Sequence, residues 1–268
     1  MARDAGPDFI EALARGLDVL TSFGTRRGAP SLSEIAESVN LTRPTTRRIL
    51  LTLAELGYVR AADGRFALTP RVLELGTAYV ASTGLWDMAQ PHMEDLGRST
   101  DESCSVAQLD GSDIVYVARV AAPKIVALRV EIGTRFPAYV TSLGKVLLAA
   151  LPPEEADRTL ALPSRSGLTA RHPVDPVELG RELRDVRARG WASTDQELAL
   201  GIRSVAAPLR DGTGRVMGAL NVNCHASETS MDTLLQTLLP RLLEAAAAIS
   251  LDFARASALP RAEITRVH

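Results

Sequence analysis

At 268 residues, with 46% apolar and 23% charged side chains and a formal net charge of −2, the chain is long enough for two soluble domains, and its balance excludes a protein that coats nucleic acid indiscriminately. Two cysteines, Cys104 and Cys224, are too few and too far apart for a disulfide framework and fit a reducing cytoplasm. No N-terminal stretch joins a basic region to an apolar core, so no signal peptide is expected; the apolar run 234–254 is broken by Pro240, Arg241, Glu244 and Asp252, which predicts an amphipathic helix and no membrane span.

The first predicted helix covers 9–23, with Ile10, Leu13, Leu17 and Leu20 on one face expected to pack beneath the elements that follow. A loop over 24–30 carries Arg26 and Arg27. Ser31 and Glu34 form a Ser-x-x-Glu capping box for a second helix, whose apolar stripe is Ile35, Ala36 and Val39. Asn40-Leu41 breaks that helix, with Leu41 plugging the gap to a third. Thr42 caps the third helix and Pro44 sits in its first turn, where a missing N–H costs little. Thr46, Ile49, Leu50, Leu53 and Leu56 share one face, while Arg43, Thr45, Arg47 and Arg48 fall largely on the other. Gly57 ends the helix, and Tyr58-Val59-Arg60 leads into a hairpin turning at Asp63-Gly64.

A helix-turn-helix followed by a hairpin is a winged DNA-binding domain, its second helix entering the major groove and its wing lying along the backbone. Six arginines between 43 and 71 stand against Glu55 and Asp63, a local balance of +4. A solvated helix face would carry the same arginines; the capping box, short turn and hairpin in series favour DNA. Arg43, Thr45 and Arg47 are assigned to base edges, with Pro44 in the entering turn, and Arg48, Arg60 and Arg65 mainly to phosphate.

Val72, Leu73, Leu75, Tyr79 and Val80 predict a linker helix that ends near Ser82-Thr83-Gly84, dividing the chain into 1–69, a linker over 70–84, and 85–268. Beyond it the pattern predicts a helix over 86–98, strands over 104–109, 114–120 and 126–132, and a helix over 142–151 stopped by Pro152-Pro153. A charged helix over 176–189, strands over 202–209 and 215–223, and a last helix from about 231 follow. Strands and helices mix without βαβ alternation, so the class is α+β with an antiparallel sheet.

No catalytic, metal or cofactor site is expected. The segment 139–146 has Tyr139 where a phosphate-binding loop needs glycine and Val146 where it needs a hydroxyl. Gly212, Gly214 and Gly218 sit in a predicted hairpin with the wrong spacing for a dinucleotide fingerprint. The four histidines are scattered, and Cys224-His225 does not match zinc spacing.

The segment 133–149, GTRFPAYVTSLGKVLLA, together with 195–209, DQELALGIRSVAAPL, and 218–223, GALNVN, resembles the signature of the IclR family of transcriptional regulators, over about 9–254. It is most similar to the branch governing aromatic-acid catabolism, typified by protocatechuate and 4-hydroxybenzoate regulators. The resemblance implies an N-terminal winged helix-turn-helix, a linker helix and a GAF-like C-terminal domain that binds a small effector. It also implies homodimers, often paired into dimers of dimers, on palindromic double-stranded operators.

By the same resemblance the effector pocket is lined by Ser142, Leu143 and Gly144 at a helix start, faced by Asp195, Ser204, Asn221 and Asn223. Free N–H groups and the helix dipole there favour a carboxylate. Asn221 and Asn223 point to the same side of a strand, and asparagine suits a ring hydroxyl as well as a carboxylate. Arg129 is a further candidate for the acid group. The expected function is that of a cytoplasmic, effector-controlled transcription factor for catabolic genes, not an enzyme. An architectural DNA binder without a ligand and an enzyme with an accessory DNA-binding domain are the alternatives.

Overall fold

The computed structural model describes residues 6–25, 28–76, 85–122, 130–168 and 175–258, and it divides into two units, Met1–Thr83 and Gly84–His268. In the first unit α1 (Glu11–Ser22), α2 (Leu32–Ser38) and α3 (Arg43–Glu55) close around Val19, Phe23, Ile35, Leu50 and Leu53. A hairpin of β1 (Val59–Ala62) and β2 (Arg65–Leu68) follows. The capping box is complete: the Glu34 N–H donates to Ser31 Oγ at 3.4 Å, and the Ser31 N–H donates to Glu34 Oε2 at 2.7 Å. Asn40 takes a left-handed conformation (φ 50°), which lets the Leu41 N–H reach the Ala36 carbonyl at 2.9 Å and closes the turn. Asp63 and Gly64 both have positive φ (51° and 71°), as a tight hairpin of this twist requires.

The first helix departs from expectation. Ile10, Leu13 and Leu17 are exposed, and the helix meets the core through Val19 in its C-terminal half and Phe23 just beyond its end. Leu13, Leu17 and Leu20 instead line a groove of about 780 Å³ together with Ile49, Leu56, Tyr58 and Leu75. Of the expected linker, Pro70–Val72 forms one 3-10 turn and 73–76 are helical, while 77–84 lie outside the described residues.

The second unit has three layers. Its middle is a six-stranded antiparallel sheet of β3 (Ser103–Asp110), β4 (Asp113–Val120), β5 (Arg135–Pro137), β6 (Ala192–Asp195), β7 (Ile202–Arg210) and β8 (Val216–His225), in the order β5-β4-β3-β8-β7-β6. One face carries Val106, Val205, Leu209, Leu220 and Val222 and packs against α4 (Leu85–Thr100) and the last helix, α8. That helix opens at Met231–Thr233, widens to a π turn at Leu234–Leu238 and continues through Leu239–Ala258. The π turn ends just before Pro240, whose missing N–H breaks the regular ladder. By length and composition Met231–Ala256 could cross a membrane, yet Leu234, Leu242, Ile249 and Phe253 are fully buried in this core.

The opposite face presents Ala107, Ala206 and Ala219 to α5 (Ser142–Ala150) and α7 (Pro176–Arg189). These small side chains let α5 lie close to the sheet. The strands β5 and β6 and the helix α6 (Pro153–Leu160) are additional to the sequence-based elements. Within the strand expected over 126–132, residues 126–129 lie outside the described residues. Residues 130–132 are irregular, because Gly133 turns the chain with φ 88° and donates to the Tyr116 carbonyl at 2.8 Å.

Candidate nucleic-acid interface and ligand site

Thr42 caps α3, accepting from the Thr45 N–H at 3.4 Å, and Pro44 occupies the first turn. Arg43 and Arg47 lie four apart and so share one stripe of the helix, one turn apart. Both are exposed, as are Arg48 and Arg60, and none of the four side chains has a hydrogen-bond or ion-pair partner among the described residues. Thr45 is half-buried on the flank nearer α1, its hydroxyl 2.9 Å from Thr42 Oγ1, and Arg48 lines the same groove. Arg65 braces the wing by donating to the Ala29 carbonyl at 2.8 Å. Arg71 leaves the basic footprint altogether. It donates to the Leu56 carbonyl at 2.7 Å and lies over the Tyr58 ring, 5.3 Å from its centroid, tying the wing's exit to the end of α3.

In the second unit the polar residues gather at one end of the α5-covered face. Register places Ser105 opposite both Arg119 and Asn221, and Asn223 opposite both Ser103 and Ser204. Ser204 Oγ sits 2.7 Å from Ser142 Oγ and 2.8 Å from Thr194 Oγ1, a three-hydroxyl chain running from α5 across β7 to β6. Asn221 accepts the Ser105 N–H at 3.1 Å and donates to Asn223 Oδ1 at 3.1 Å. Ser105, Ser142, Thr194, Ser204 and Asn221 are all buried. Buried polar groups at this density lose stability unless they are satisfied, and among the described residues the opposite face of the same sheet is lined instead by Val106, Val205, Leu220 and Val222.

The structure therefore gathers Ser142, Ser204, Asn221 and Asn223. It does not bring Asp195 to them. Asp195 follows Thr194, so it projects to the other side of β6, exposed and paired with Arg203 at 2.8 Å, whose guanidinium holds the carboxyl below its ordinary value. Thr194 stands where Asp195 was expected. Gly144 serves packing: a Cβ there would lie 2.0 Å from the Ala138 carbonyl oxygen, and its N–H already donates to Thr141 Oγ1 at 2.9 Å. Leu143 is fully buried beside it. Arg129 lies outside the described residues. Arg119, Ser105 and Thr194 escaped the sequence reading; the signal for Arg119 was a lone cation in an otherwise β-branched strand.

Beside this site Lys145, 2% exposed, donates to Glu182 Oε1 and Glu197 Oε2, each at 2.7 Å. The contacts bind α5 to α7 and to the 195–201 loop. Both cysteines are free and buried, and burial pushes the Cys104 thiol up to about 12. Among the described residues no three His, Cys, Asp or Glu side chains come together to hold a metal ion.

Two family profiles match the chain. The first, the IclR helix-turn-helix domain, covers 12–63, and the second, the bacterial transcriptional regulator IclR C-terminal domain, covers 77–251. The chain is 39% identical over 241 residues to the Pca regulon regulatory protein of Pseudomonas putida, covering 89% of this chain and 82% of that one. A transcriptional regulator from Rhodococcus sp. RHA1 superposes with a TM-score of 0.80 at 46% identity, over 92% of this chain and 100% of that one. An IclR homologue from Microbacterium hydrocarbonoxydans, crystallised with 4-hydroxybenzoate, superposes with a TM-score of 0.78 at 26% identity, over 92% and 100% of the two chains.

Proposed function

The chain belongs to the IclR family of transcriptional regulators, and from that premise we propose that it is a dimeric repressor or activator of aromatic-acid catabolic genes, controlled by an aromatic carboxylate. Residues 1–69 read a palindromic operator, 70–84 link, and 85–268 bind the ligand. Acting on chromosomal DNA, it works in the cytoplasm and turns over no substrate. The observation that carries the ligand half is the buried cluster of Ser142, Thr194, Ser204, Asn221 and Asn223, whose neutral donors and acceptors suit ring hydroxyls. The relative crystallised with 4-hydroxybenzoate supports the same ligand class. Ligand binding changes operator affinity only if one arrangement of the two winged units binds it better than the other.

Fluorescence anisotropy on a labelled operator, with and without 4-hydroxybenzoate or protocatechuate, tests this reading. The operator affinity is expected to change about 5–150-fold; an unchanged affinity with both acids removes the regulatory reading. In the same assay Arg47→Ala is expected to weaken operator binding by about 1–3 kcal/mol and to relax sequence preference. Arg60→Ala weakens all duplexes alike. Log affinity of the wild type falls with log salt at a slope of about −5, the value for roughly six phosphate contacts per dimer. Equal affinities for wild type and both variants would take α3 out of the groove.

Two half-sites about 34–36 Å apart need two winged units. The exposed leucines of α1 supply an apolar face for pairing with the same face of a second copy. Leu17→Glu is expected to shift the chain towards monomer in sedimentation velocity and to abolish cooperative operator binding. A variant as dimeric as the wild type would place the contact elsewhere.

A further inference from the structure

We propose that Arg119, on β4, holds the carboxylate of the ligand, while the Thr194–Ser204–Ser142 hydroxyl chain reads a hydroxyl on the opposite edge of its ring. This rests on the preceding reading that the site takes an aromatic acid, and it assigns the acid end to a strand rather than to the start of α5.

At the start of α5, Thr141 Oγ1 already takes the Gly144 N–H and the Ala138 backbone is packed against that residue. Arg119 is differently placed. Four Lys or Arg side chains among the described residues of this unit are not exposed: Arg119, Arg135, Lys145 and Arg203. Arg135 pairs with Asp110 at 2.7 Å, Lys145 with Glu182 and Glu197, and Arg203 with Asp195. Arg119 has no carboxylate partner among the described residues, and the one hydrogen bond its guanidinium makes among them is a long one to the neutral Ser105 Oγ at 3.3 Å. Neither 123–129 nor 169–174 contains an acidic residue to complete it. A half-buried guanidinium with most of its N–H donors uncommitted, on the same face as Ser105, Asn221 and Ser204, is a built receptor for a planar carboxylate.

The spacing selects the ligand. The guanidinium reaches over β3, and two strand spacings, through β8 to β7, separate β3 from Ser204, about 10 Å. Allowing a hydrogen bond of about 2.8 Å at each end leaves roughly 4–7 Å between the ligand's terminal oxygens. A two- or three-carbon keto acid holds its oxygens closer together than that. A benzene ring with a carboxylate and a hydroxyl on opposite sides fills the gap, with the Asn221 amide beneath it.

Isothermal titration of the full chain with 4-hydroxybenzoate and with neutral 4-hydroxybenzyl alcohol tests the assignment. Wild type is expected to prefer the acid, and both Arg119→Met and Arg119→Gln to lose about 10–100-fold in affinity for it. The same variants should bind the alcohol as the wild type does, so the preference for a charged end disappears. Arg119→Lys should retain part of it. If wild type binds the acid and both charge-removing variants bind it within threefold, the assignment of Arg119 fails and the regulatory reading stands. If both variants lose acid and alcohol equally, Arg119 acts through structure alone and the proposal is overturned. If wild type binds no hydroxybenzoate, the aromatic-acid reading falls with it.

Discussion

Gly144→Ala is expected to destabilise the second unit by about 4 kcal/mol or more, at the upper end of what one substitution does. The added methyl would stand 2.0 Å from the Ala138 carbonyl oxygen and 2.4 Å from its Cα. Both are backbone atoms, so no rotamer can relieve the overlap. Ala138 cannot retreat cheaply, because its N–H donates to the Ser112 carbonyl at 2.9 Å and its carbonyl accepts from the Thr141 N–H and hydroxyl. The alternative is that α5 lifts from the sheet, which separates Ser142 from Ser204 and opens the proposed ligand site. A melting temperature lower by roughly 8–16 °C follows for a unit of this size, with loss of 4-hydroxybenzoate binding. Gly180→Ala, in α7, is the control. Its Cβ would meet only Arg184 Nη1 at 3.8 Å, and helix propensity should stabilise by about 0.5–1 kcal/mol. Equal melting of the Gly144 variant and wild type would show that the Ala138 segment yields freely.

The features that were legible beforehand act over four residues or fewer. Ser31 with Glu34, Thr42 before Pro44, Asn40 at a helix end and Asp63-Gly64 in a hairpin each declare a local hydrogen-bond solution, and they define the winged unit. Leu13 and Leu17 misled because periodicity says that a face is apolar, not what covers it. In the second unit the difficulty was parity. Whether Thr194 or Asp195 faces the site depends on the pairing of Thr194 with Ser204, and a slip of one residue exchanges the two faces. Arg119 was hidden for a related reason, since a bulge between Val106 and Ala107 shifts the β3–β4 register that sets it opposite Ser105. The carboxylates that explain Lys145 lie 37 and 52 positions further along the chain, beyond any local pattern.

Lys145→Met should lower stability by about 1–3 kcal/mol, or roughly 2–12 °C in melting temperature, because it leaves two carboxylates, each about a third exposed, without their shared cation. The methionine fills much the same volume, so the loss is electrostatic. Burial already holds the Glu197 carboxyl above its ordinary value of 4.5 despite the neighbouring ammonium, and Glu182 adds repulsion. Without Lys145 that upward push grows. A carboxyl whose folded pKa lies above its unfolded one binds its proton more tightly when folded, so its ionisation subtracts stability. The deficit of the variant should therefore be largest at neutral pH. It should shrink as pH falls through the raised folded value of Glu197 towards 4.5. Adding Glu182→Gln and Glu197→Gln to Lys145→Met removes the stranded charges and is expected to recover most of the melting temperature. A deficit that persists undiminished in the triple variant would assign the role of Lys145 to packing rather than charge. Because the 195–201 loop follows the strand that carries Thr194, the same single variant should weaken 4-hydroxybenzoate binding, and the triple variant should restore part of it.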